Sequence, residues 1–171
     1  MAPANKSDVF LSVVEAHKGI IYKVANAYCG DAENRKDLVQ EIVLQLWRSF
    51  ERYDERFRHS TWIYRIALNV AISFYRKESK RKALSKPVPE FITDNAEPVV
   101  TDPDEAEGIR FLHHFISELK ELDKALMLLY LEGKSYREIA EIMGITETNT
   151  ATRIGRIKVI LKQRFSQVNI N

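Results

Sequence analysis

The chain has 171 residues, 45% of them hydrophobic and 29% charged, which suits one medium core or two small ones and excludes a disordered tail or a fibre. Its longest apolar runs, such as Ala125–Tyr130, fall far short of the roughly 20 residues that span a bilayer. The opening MAPANKSDVF lacks the layout of a secretory signal and Cys29 is the only cysteine, so a cytoplasmic protein without membrane insertion or internal disulfide is expected.

The net charge of +2 hides a segregation: residues 1–87 carry 16 basic and 10 acidic side chains, residues 88–109 carry 0 and 7, and residues 110–171 carry 10 and 7. Two basic blocks flanking an acidic one can each engage phosphates locally, or can be solvated helix faces. With only six glycines and five prolines and little Val/Thr alternation, helices should dominate.

The first helix is expected from Val9 to about Tyr28, where Phe10, Val13, Val14, His17, Ile20, Ile21, Val24 and Ala25 recur at helical spacing. After Gly30-Asp31, a second runs from about Asn34 to Phe50. It bears one stripe of Leu38, Ile42, Gln45/Leu46 and Ser49/Phe50 and another of Asp37, Gln40, Glu41, Leu44 and Arg48. Tyr53–His59 breaks both patterns and reads as a loop, and Ser60 is the expected N-cap of a third helix reaching about Ala83. On that helix Ile63, Ile66, Ala67, Val70, Ala71 and Phe74 should be core. Trp62, Arg65, Asn69, Ser73 and Arg76 form a second face suited to stacking on bases and holding phosphates, with the basic run Arg76–Lys82 behind it. That face points to strand-separated DNA; the alternative is a tryptophan packed on the first helix beside a solvated basic end.

Four of the five prolines lie between residues 87 and 103, in a stretch without a basic residue, which reads as an acidic flexible linker over 87–106 between domains 1–86 and 107–171. Four more helices are expected: Glu107 to Leu119, Asp123 to Glu132 ended by Gly133, Tyr136–Met143 capped by Ser135, and a last one capped by Thr146 and reaching about Phe165. Ser135–Thr146 fits a helix-turn-helix. Ala140 is small where two helices cross, Gly144 frees the turn, and Ile139 and Ile145 fill the space between helices. The following helix would present Glu147, Thr148, Ala151 and Thr152 to a major groove, with Arg153, Arg156 and Lys158 placed for phosphates or guanine edges and Ile154, Ile157 and Leu161 buried. A helical hairpin with no DNA role is the other reading of the same pattern.

His113 and His114 diverge by about 100° on a helix and cannot share a metal. No Gly-rich phosphate loop, Cys-x-x-Cys or Gly-x-Ser-x-Gly occurs, so no enzyme, cofactor or metal is expected.

Taken together, three segments resemble the bacterial sigma factors of RNA polymerase, specifically the extracytoplasmic-function (ECF) group. Asp37–Trp47 is similar to the segment that docks on the polymerase clamp helices, Phe57–Asn69 to the segment that opens and reads the minus-ten promoter element, and Leu119–Leu122 with Tyr130–Ala140 to the region that reads the minus-thirty-five element. The resemblance implies an all-α protein of two small domains, a three-helix region 2 and a four-helix region 4. It implies core RNA polymerase as partner through Asp37, Gln40, Glu41, Leu44 and Trp47. It further implies promoter DNA as partner, opened at Arg56, Phe57, Arg58, His59, Trp62, Arg65, Asn69 and Arg76, and duplex at Glu147, Thr148, Ala151, Thr152, Arg153 and Arg156. A sequestering anti-sigma factor is common in the family. Asp123 stands where the family usually has proline and is itself a good cap; Thr150 replaces a usual valine, Ala151 a common lysine, and Gly155 weakens the last helix by about 1 kcal/mol. The rival without the resemblance is a stand-alone helix-turn-helix regulator, which leaves the Asp37–Trp47 stripe unexplained.

Overall fold

Residues 5–84 and 103–168 are described by a computed structural model, in two units divided between Asn95 and Ala96. Most of the proposed acidic linker therefore lies outside the described residues. Every regular element among those described is helical.

The N-terminal unit contains α1 (Lys6–Tyr28), α2 (Ala32–Ser49) running into a 3₁₀ turn (Phe50–Arg52), and α3 (His59–Leu84). Asp31 caps α2 by accepting from the Asn34 amide at 3.0 Å, which starts that helix two residues before the periodicity does. The Arg35 guanidinium donates to the Cys29 and Gly30 carbonyls, at 3.4 and 3.1 Å, satisfying acceptors left over where α1 ends. Leu38, Ile42 and Leu46 form the fully buried α2 stripe, as their spacing requires.

Two expectations for α3 are corrected. Its buried residues are Ile63, Tyr64, Ala67, Leu68, Ala71 and Ile72, whereas Ile66, Val70 and Phe74 are only half-buried. Because α3 packs against both α1 and α2, its apolar arc is wider than a one-sided stripe and turns toward Tyr64, Leu68 and Ile72. Nor is Ser60 the cap: the helix begins at His59 and the Arg58 carbonyl accepts from the Trp62 amide at 3.1 Å, since the preceding loop is already closed at Phe57.

The C-terminal unit holds α4 (Pro103–Glu118), α5 (Glu121–Leu131), α6 (Tyr136–Met143) and α7 (Glu147–Val168). Helix α4 starts four residues before the expected Glu107, with a proline in its first position where the missing amide costs nothing. Lys120 occupies the cap position of α5, which puts Asp123 inside the first turn instead of at the cap. The remaining punctuation falls where it was read. Ser135 and Glu138 form a reciprocal capping box, at 3.2 and 2.8 Å. Gly133 and Gly144 have φ of 75° and 67°, left-handed values that favour glycine. Thr146 Oγ1 accepts from the Asn149 amide at 3.0 Å. Phe115, Met127 and Ile157 form a buried cluster joined by Ile116, Leu119, Tyr130 and Leu161. Ala140 and Ile139 are buried at the α6–α7 crossing, while Ile145 is half-buried. Thr150 is fully buried and its hydroxyl donates to the Thr146 carbonyl at 3.0 Å; it fills the space of a valine without leaving a polar atom unpaired.

Candidate nucleic-acid and polymerase interfaces

The loop between the 3₁₀ turn and α3 is organised by its own side chains. The Asp54 carboxylate accepts from the Arg56 amide at 3.0 Å and from the Arg56 guanidinium at 2.6–3.0 Å, and these bonds hold the Asp54 carboxyl below its ordinary pKa. The Phe57 amide donates to the Asp54 carbonyl at 3.1 Å, and the Tyr53 hydroxyl donates to the Phe57 carbonyl. Burial raises the Tyr53 pKa, so the phenol stays protonated and able to donate. The His59 ring stacks on Tyr53, 4.7 Å between centroids, with His17 6.1 Å beyond.

Phe57 lines two concavities. An open cleft of about 470 Å³ is lined by His17, Tyr53, Arg56, Phe57, Arg58 and His59 among others, and a smaller one of about 110 Å³ by Arg52, Asp54, Phe57, Thr61, Trp62 and Arg65. The Arg65 guanidinium stands 5.0 Å from the Phe57 ring centre. Trp62 is half-buried, with its ring 6.0 Å from Phe50 and 5.1 Å from Tyr53. Asn69, Ser73 and Arg76 continue the same helix face and are exposed. The structure thus brings the sequence-selected Arg56, Phe57, Arg58, His59, Trp62 and Arg65 around one loop, and adds Tyr53, Asp54 and His17, whose roles depend on contacts that no local pattern announces.

On α2, Asp37 and Gln40 are exposed, and Glu41 is half-buried and accepts from the Gln45 amide group at 3.0 Å. Leu44 and Trp47 are 40% and 37% exposed, so the stripe presents two apolar groups among polar ones. The Trp47 indole is fixed edge-on by Phe10 at 5.0 Å and by the Lys6 ammonium, 5.0 Å from its centre. Neither support was evident in the sequence.

On α7, Glu147, Thr148, Thr152 and Arg156 are exposed and Ala151 is half-buried. The Thr152 hydroxyl donates to the Thr148 carbonyl at 3.0 Å, leaving its lone pairs outward. Two cations read as DNA-facing turn toward α5: the Arg153 guanidinium lies 3.3 Å from the Asp123 carboxylate, and the Lys158 ammonium 4.2 Å from the Tyr130 ring centre. Hydrogen bonding to the Tyr130 side chain is the main cause of a raised Lys158 pKa.

Residues 13–81 match sigma-70 region 2 and residues 112–161 match sigma-70 region 4. The chain is 30% identical over 145 residues to the ECF RNA polymerase sigma-E factor of Haemophilus influenzae, covering 75% of this chain and 73% of that one. The chain belongs to the ECF sigma factors. This ECF sigma factor is also 25% identical over 164 residues to the RNA polymerase sigma factor SigV of Bacillus subtilis, with 95% of each chain covered. Its fold is that of CnrH, solved in complex with the cytosolic domain of CnrY, with a TM-score of 0.66 at 17% identity over 96% of this chain and 91% of the other. As a sigma factor it directs RNA polymerase to promoters for transcription initiation, and a stand-alone helix-turn-helix regulator is not favoured. The region 2 match contains the α2 stripe and the Phe57 loop; the region 4 match contains the α7 face and Asp123. No helix among the described residues is long and apolar enough to cross a membrane.

Proposed function

We propose that this sigma factor divides initiation among three surfaces. Asp37, Gln40, Glu41, Leu44 and Trp47 bind core polymerase: the polar groups set register, and Leu44 with the braced Trp47 supplies the apolar anchor that dominates interface energetics. Arg56, Phe57, Arg58, His59, Trp62, Arg65, Asn69 and Arg76 receive the minus-ten strand once it is open. Glu147, Thr148, Ala151, Thr152 and Arg156 meet the minus-thirty-five duplex, with Arg153 at the edge of that face.

The observation that carries this reading is the self-bonded loop in which Phe57 lines both concavities, on the same helix side as the exposed Asn69, Ser73 and Arg76. Extruding a base costs a few kcal/mol, and stacking returns about 1–3 kcal/mol per base, so a preorganised ring favours the open strand without hydrolysis. No catalytic group is needed in this chain, and its place of work is the cytoplasm, where core polymerase is. An anti-sigma factor, of the kind named with RpoE of Bartonella quintana, is a further proposed partner.

Run-off transcription with purified core enzyme on genomic fragments tests the whole. Specific start sites that vanish when the chain is omitted are expected; initiation unchanged by its addition would sink the assignment. In the same assay the paired change Trp62→Ala and Arg65→Ala should reduce permanganate reactivity of promoter thymines more than polymerase binding.

A further inference from the structure

Arg153 lies on α7 next to Thr152 and about 60° around the helix from Arg156, near enough to the DNA-facing stripe to reach a phosphate. Its guanidinium is instead 3.3 Å from Asp123, and the two side chains are only 34% and 28% exposed. Both ends of the pair sit on packed helices, because Asp123 is in the first turn of α5 and Arg153 follows the buried Thr150 on α7. Partial shielding makes such a pair stronger than a rim ion pair. For Arg153 to take a phosphate, it would have to leave a carboxylate behind, uncompensated and close to the DNA.

We infer that Asp123 is a positioning residue that withholds Arg153 from the DNA backbone, so that duplex binding by α7 draws on fewer phosphate contacts than its cations suggest. This rests on the proposal that α7 meets the upstream duplex. Lys158, held against Tyr130, is subtracted in the same way. Arg156 is exposed and has no ion-pair partner among the described residues, so it remains a phosphate-competent cation beside the DNA-facing stripe. Phosphate contacts are indifferent to sequence; removing one lowers affinity for every duplex and leaves a larger share of the binding energy to base contacts. Asp123 therefore acts, through Arg153, on overall duplex affinity and its salt dependence and not on the preference between sequences.

The salt dependence of duplex binding decides this, since each phosphate contact contributes about −0.9 to the slope of log K against log salt. The full chain, assembled with core RNA polymerase, is titrated with a promoter duplex found by run-off and with a mixed-sequence duplex of equal length. The variants are Arg153→Ala, Asp123→Asn, the two combined, and Arg156→Ala. Asp123→Asn should steepen the slope by about 0.9, so that a fourfold rise in salt costs it roughly 3.5-fold more affinity than the parent, and should do so equally on the promoter and the mixed-sequence duplex, leaving their ratio unchanged. Arg153→Ala alone should leave the slope unchanged, and in the double variant it should cancel the gain.

A shallower slope for Arg153→Ala alone would mean that Arg153 already holds a phosphate, and would overturn the inference. A gain that survives in the double variant would assign it to the loss of a nearby negative charge, again overturning it, as would an unchanged slope for Asp123→Asn. Arg156→Ala should flatten the slope by about 0.9; if it does not, the α7 reading fails and this inference with it. Thermal unfolding followed by circular dichroism checks that each variant is folded.

Discussion

Replacing Phe57 with alanine isolates the base-receiving loop. The side chain is half-buried and lines both concavities, while the loop is held through groups the substitution leaves in place: the Phe57 carbonyl, which accepts from the Tyr53 hydroxyl, the Phe57 amide, and the Asp54–Arg56 bonds. The variant should therefore keep its loop and lose its stacking surface. A stacked base is worth about 1–3 kcal/mol by alanine substitution, and about 1.4 kcal/mol is tenfold in an equilibrium, so the opening constant should fall roughly 5- to 150-fold. Tyr53→Phe keeps the ring and deletes one hydrogen bond of about 1 kcal/mol, which predicts a loss of only about fivefold. Phe57→Tyr should restore most of the opening. Permanganate footprinting of the promoter reads opening, and retention of core polymerase reads docking. Equal losses in the two measurements, or Phe57→Tyr as defective as Phe57→Ala, would refute the stacking role.

Three further outcomes follow from burial and backbone geometry. Leu46→Ala removes a fully buried side chain of α2 and should cost about 2–5 kcal/mol, read by urea unfolding; both tryptophans, Trp47 and Trp62, belong to the N-terminal unit, so their fluorescence reports that unit alone. Gly155→Ala should stabilise the C-terminal unit by about 0.5–1 kcal/mol, because a Cβ there meets nothing within 4 Å; a lowered unfolding temperature would contradict the helix geometry. The Cys29 thiol is buried, and desolvation pushes its pKa from 9.0 up to about 11, leaving thiolate about 100-fold scarcer than in the unfolded chain below pH 9. Alkylation by iodoacetamide at pH 8 should be correspondingly slow until denaturant is added. With the sign worked through, burial of the neutral thiol supports folding below the unfolded value, and that support is lost as pH rises through the folded one.

Local signals survived the passage from sequence to structure, and distributed ones did not. Ser135, Gly144 and Thr146 were legible because each acts within four residues, through a cap or a left-handed turn. The α2 stripe was legible because that helix buries a single narrow arc. The buried arc of α3 was misjudged because α3 carries apolar residues around more of its circumference, and which of them face α1 and α2 is decided by packing and not by its own periodicity. Ser60 has the chemistry of a cap, yet the start of α3 is fixed upstream by Tyr53, Asp54 and Phe57. The partner of Arg153 was not legible for a related reason: Asp123 meets it only through tertiary packing.

A positive balance in a sequence therefore measures the supply of cations and not their availability to a polyanion. Arg153 faces Asp123 and Arg164 faces Glu118, Arg137 lies 3.9 Å from Glu141, and in the N-terminal unit Arg56 is held by Asp54. Each carboxylate competes with a phosphate for its cation, most effectively at the partly shielded Arg153–Asp123 pair and least at the exposed Arg56 and Arg137. An initiation factor carried to DNA by a polymerase loses little by this, because the enzyme supplies proximity. On the proposed reading, the contacts that distinguish one site from another come from the Phe57 loop and the α7 hydroxyls. Unmasking Arg153 at Asp123 should then raise affinity for promoter and mixed-sequence duplex alike, whereas removing Asp54 would free Arg56 only by undoing the bonds that hold the Phe57 loop.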